Sequence, residues 1–85
     1  MDLLVNIDVP DLAAAERFYG AAFGLTPTRR FADGGVELGG SPVRVYLLEN
    51  PAGTLGAGAE PRHYERHWSP VHLDVVVEDI DAALA

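Results

Sequence analysis

Asn6 and Asp8 stand two apart in one alternating run, and His72 and Asp74 stand two apart in another. Strand side chains alternate between faces, so each pair shares a face. Packed side by side, the two runs would bring Asp8 toward Asp74, and one carboxyl would then keep its proton to higher pH. A carboxyl of that kind can serve as a general base; a hydrogen-bonded structural pair is the plainer reading. Arg44 and Tyr46 share a face of a third run. A guanidinium there holds a carboxylate or phosphate bidentately, unless it faces solvent and pairs with one of the chain's many acids. His63 and His67 are four apart, a helix-face spacing, but no His-Glu-x-x-His pattern surrounds them. Tyr64 and Trp68 offer flat surfaces for stacking on a ligand, or cover for exposed core. No nucleophile elbow, phosphate loop or nucleotide fingerprint occurs.

Elements must hold these groups in place. The phrase Val5-Asn6-Ile7-Asp8-Val9-Pro10-Asp11-Leu12-Ala13-Ala14-Ala15 returns as Val71-His72-Leu73-Asp74-Val75-Val76-Val77-Glu78-Asp79-Ile80-Asp81-Ala82-Ala83. Each copy is an alternating apolar strand, then an acidic residue, then an Ala-rich helix start. Such a repeat marks a duplicated strand–helix unit. Residues 3–9 alternate as a strand, and Pro10 ends it. Asp11 suits a helix N-cap. Residues 12–23 read as helix with the stripe Leu12, Ala15, Phe18, Tyr19, Ala22 and Phe23, and Gly24 suits a left-handed C-cap. Strands over 26–31, 36–38 and 43–48 follow, separated by Gly-rich turns that imply an antiparallel meander. Residues 1–50 thus form a first β-α-β-β-β unit, and 51–69 form a connector whose Gly/Ala-rich first half is expected to be mobile. Residues 70–85 begin a second unit that stops as its helix starts. A lone unit leaves an unpaired sheet edge, so further residues or a partner chain are expected to supply the rest.

Composition narrows the function. The 85 residues carry 13 acids and six arginines, with no lysine, for a net charge of −7. Nucleic acid is excluded as a partner, since binding it needs a basic face. No apolar run is long enough to span a membrane, and no secretory leader is read. The chain has no cysteine, which removes disulfides and thiolate chemistry. A cytoplasmic location is the expectation.

The sequence Val9-Pro10-Asp11-Leu12, followed by Phe18-Tyr19 and Phe23-Gly24-Leu25, resembles the vicinal oxygen chelate superfamily. That superfamily includes glyoxalase I, bleomycin resistance proteins, extradiol dioxygenases and fosfomycin resistance enzymes. The resemblance implies an α+β fold: a βαβββ module plus the start of a second, with a curved mixed sheet around a cleft and helices on its outer face. Leu3, Val5, Ile7 and Val9, and likewise Val71, Leu73, Val75 and Val77, should face helices. Asn6, Asp8, His72 and Asp74 should face the cleft, with Arg44, Tyr46 and Trp68 as further ligand-binding candidates. Metal-dependent relatives hold a divalent ion on the first and last strands of each module. That implies His72 as a ligand for Zn, Ni, Fe or Mn, with Glu49 as a weaker candidate. Leu4 or Asn6 falls where the first-module histidine would lie. Two functions follow. One is a homodimeric, metal-free protein that binds a small organic molecule in the cleft. The other is a divalent-metal enzyme of glyoxalase (lyase) or extradiol dioxygenase type, with His72 a metal ligand.

Overall fold

Pro10 and Asp11 decide where the first strand stops and the first helix starts. In a computed structural model, which describes residues 1–66 and 69–84, strand β1 (Asp2–Val9) ends at Pro10, which has no N–H for a ladder. Asp11 is extended, and its Oδ1 accepts the Ala14 amide at 3.1 Å. Helix α1 (Leu12–Phe23) ends at Gly24, whose φ of +70° is the left-handed conformation glycine adopts without strain. The meander follows as β2 (Thr26–Phe31), β3 (Gly35–Gly39) and β4 (Arg44–Glu49). After the connector come β5 (Val71–Val76) and the short helix α2 (Ile80–Leu84).

The five strands form one curved mixed sheet in the order β2-β3-β4-β1-β5. β1 runs parallel to β4, and the other pairs are antiparallel. A parallel neighbour needs a crossover, and α1 begins it. Helix α1 lies over one sheet face. Val9, Val36, Leu38 and Leu47 form the core beneath Leu12, Ala15 and Tyr19. Arg30 fastens β2 to the helix through a bidentate pair with Glu16, at 3.0 and 2.7 Å. That contact holds the Glu16 carboxyl below its usual range.

Three expectations need correction. Phe18 and Phe23 are not part of the buried stripe. They are 58% and 66% exposed, edge-on to Tyr19 and to each other respectively. The arc over the core is filled by Leu12, Ala15 and Tyr19, which leaves the two phenylalanines at its margin. Asp8 and Asp74 do not approach each other. β5 pairs antiparallel with β1, so Asp74 lies opposite Leu4, and Asp8 sits roughly 14 Å further along at about 3.4 Å per residue. Finally, the connector is hydrogen-bonded where mobility was expected. A 3-10 turn at Ala57–Ala59 sits in a loop closed by Gly53 N–H to the Arg62 carbonyl and Arg62 N–H to the Thr54 carbonyl.

Candidate functional site

The register sets five side-chain positions in one row across the sheet. Arg29 pairs with Glu37, Glu37 with Tyr46, Tyr46 with Asn6, and Asn6 with His72. Residues opposite each other share a face, and this face is the one α1 leaves open. Four strand spacings of about 4.8 Å make the row roughly 19 Å long. On the covered face the neighbouring row reads Arg30, Val36, Leu47, Ile7 and Val71. The same alternation therefore gives an apolar floor for the helix and a polar surface on the other side.

The open row is partly locked. Asn6 is 6% exposed, and its Nδ2 donates to Asp74 Oδ2 at 2.9 Å. The Tyr46 hydroxyl donates to Glu37 Oε2 at 3.2 Å, and the Tyr46 ring lies 6.0 Å from that of Phe31. His72 is exposed and makes no hydrogen bond or ion pair among the described residues. Arg44 is also exposed and meets Asp2 at 3.3 Å. A surface pair at that distance contributes little.

Asp8 has a different role. It is 9% exposed and fully engaged: Asn50 Nδ2 donates to Oδ1 at 2.8 Å, and Arg62 Nε donates to Oδ2 at 3.1 Å. Arg62 also donates to Thr54 Oγ1 and to the Leu55 carbonyl. The Tyr64 hydroxyl donates to the Asn50 carbonyl. Burial raises the Tyr64 pKa, the Asp8 charge adds to the shift, and Arg62 opposes it. This network ties the connector across the end of the open face. Glu49 lies on the helix side, where its Oε2 accepts the Leu12 amide at 2.8 Å. The carboxylate thus shares with Asp11 the work of satisfying the free amides of α1. Trp68 and His67 lie outside the described residues.

The profile of the glyoxalase-like domain family matches residues 4–85. The chain belongs to this family. Through it, the glyoxalase-like chain is a member of the vicinal oxygen chelate superfamily. No curated protein and no solved structure matches it significantly.

Metal-binding relatives of a glyoxalase-like domain make their donor set a question of chemistry. The side chains that meet on β4, β1 and β5 are Tyr46, Asn6 and His72: a phenol, an amide and one imidazole. The Asn6 amide N–H is donated to Asp74 and the Tyr46 hydroxyl proton to Glu37. Among the described residues no three of His, Asp and Glu come together. Neutral amides and phenols bind transition ions weakly, so of these three side chains His72 is the one good donor for a divalent metal.

Sequence reasoning missed Glu37, Arg29, Phe31, Asn50 and Arg62. Glu37 had a signal, since it stands between Val36 and Leu38 and must face away from them. Arg62 had none. Its partner Asp8 is 54 residues away in the chain, and nothing local marks the pair.

Proposed function

We propose that this glyoxalase-like domain binds a small organic molecule on the open sheet face, with no metal completing the site. The polar row Arg29–Glu37–Tyr46–Asn6–His72 carries this reading. It combines a cation, a carboxylate, an aromatic ring and an imidazole exposed to solvent on one curved surface, polar groups that can orient a ligand. The superfamily resemblance adds a homodimer, which sedimentation of the purified protein tests.

The test is a screen of small organic molecules by NMR, with His72→Ala beside the wild type. His72→Ala is expected to weaken the binding of hits that shift amides of β1, β4 and β5. Because the side chain is exposed, stability should change by less than about 1 kcal/mol. Hits that shift only the helix side, or a variant that unfolds at ambient temperature, would contradict the reading.

A second reading rests on the same imidazole. With no hydrogen bond or ion pair among the described residues, His72 could hold a divalent ion in an enzyme of lyase or dioxygenase type. Metal content separates the two readings.

A further inference from the structure

Arg29 is the exposed cation at the β2 end of the row, and its surroundings are specific. Its cross-strand neighbour on the open face is Glu37, the obvious partner for an ion pair. Glu37 is turned elsewhere. Its Oε1 takes the Thr28 hydroxyl at 3.3 Å and its Oε2 takes the Tyr46 hydroxyl at 3.2 Å. Thr28 reaches Glu37 because the β2–β3 register shifts between Pro27 and Arg29. The guanidinium lies instead over the Phe31 ring, 4.7 Å from its centroid. It makes no ion pair among the described residues.

Stacking on an aromatic face holds a guanidinium while its N–H donors, which lie in its own plane, stay free. A planar fork of that kind matches a carboxylate. The wall beside it is aromatic, since Phe31 and Tyr46 lie 6.0 Å apart with their planes inclined at 42°. Phe31 and Leu48 close over Gly35, where a Cβ would meet them at 3.3 and 3.2 Å. Glycine thus lets an apolar floor form next to the cation.

We propose that this end of the open face is a subsite for a flat aromatic carboxylate, with Arg29 taking the carboxylate and Phe31 and Tyr46 taking the ring. This rests on the reading of the open face as the ligand site and names the chemical class it accepts. Prior fixing of the guanidinium reduces the ordering cost of binding.

Benzoate, benzamide and benzylamine are the probes, titrated at millimolar concentration and followed by amide chemical shifts. Arg29→Gln is compared with the wild type, and Arg17→Gln on α1 controls for net charge. Benzoate is expected to shift β2 and β3 amides and to bind about tenfold or more tighter than benzamide. Arg29→Gln should abolish that preference, Arg17→Gln should keep it, and added salt should weaken it. Benzamide binding as well as benzoate on the open face would overturn the Arg29 assignment and leave the open-face reading standing. Failure of all three probes to shift any open-face residue would count against both.

Discussion

The two copies of the repeated phrase begin alike and end in different surroundings. In the first copy, β1 runs from exposed at Asp2 to buried at Val9, and α1 seals Leu47, Val36 and Leu38 beneath it. In the second, every residue of β5 is exposed, with Leu73 at 59% and Val75 at 53%. Their helices differ in the same sense. α1 packs on β4 and β2, whereas Ile80 of α2 is 65% exposed. Alternation and an acidic cap therefore specify a strand and a helix start in both places. Burial depends on how much helix lies over the strand. The copies meet along the β1–β5 ladder. Aligned with Asn6 opposite His72, Val5 matches Val71 and Ile7 matches Leu73. In the sheet, Val5 pairs with Leu73 and Ile7 with Val71. A local two-fold axis thus passes through the Asn6–His72 pair, at the β5 end of the polar row.

Paired substitutions sharpen this contrast. The largest effect is expected in the core. Leu47→Ala, at a position with no exposure, should cost about 2–5 kcal/mol by chemical denaturation. Leu73→Ala, the apolar counterpart on β5, should cost well under about 1 kcal/mol. Equal losses would break the comparison. Next is the connector, which spans the two copies. Arg62→Ala leaves Asp8 buried without its cation, at about 1–3 kcal/mol, and should expose residues 53–62 to limited proteolysis. Unchanged cleavage would show that the tie is not what holds the loop. The caps follow. Asp11→Ala should cost about 1 kcal/mol. Asp79→Ala, although Asp79 accepts the Asp81 and Ala82 amides, should leave global stability unchanged because α2 seals no core.

A small, pH-dependent effect concerns Glu16. Its folded pKa is depressed by the Arg30 hydrogen bond, so its contribution is present above the ordinary carboxyl range. It is lost as pH falls through the depressed value. Melting midpoints of wild type and Glu16→Gln should therefore differ slightly at neutral pH and converge in acid. A gap that widens in acid would reverse the sign.

Much of the fold was legible because it is local. Pro10, Asp11 and Gly24 bracket α1 by backbone chemistry alone, and alternation put Asn6 and His72 on the face opposite Val5 and Leu73. The resemblance in residues 9–25 supplied the sheet that pairs them. What escaped was long-range choice between partners. Asp8 looked like a ligand group by parity, and only the folded connector shows that Asn50 and Arg62 occupy it. Glu49 looked like a donor by charge, but its parity sends it to the amide end of α1. Arg29 is one of six arginines, and its position over Phe31 depends on a register shift that no residue announces.

Metal content of the longest native form, purified without chelator or affinity-tag metal, tests the central claim most directly. Elemental analysis of wild type and His72→Ala is expected to find substoichiometric nickel, zinc, iron and manganese in both, with no uptake on addition. Near-stoichiometric metal in the wild type, lost in His72→Ala, would contradict the account and establish the metal-enzyme reading.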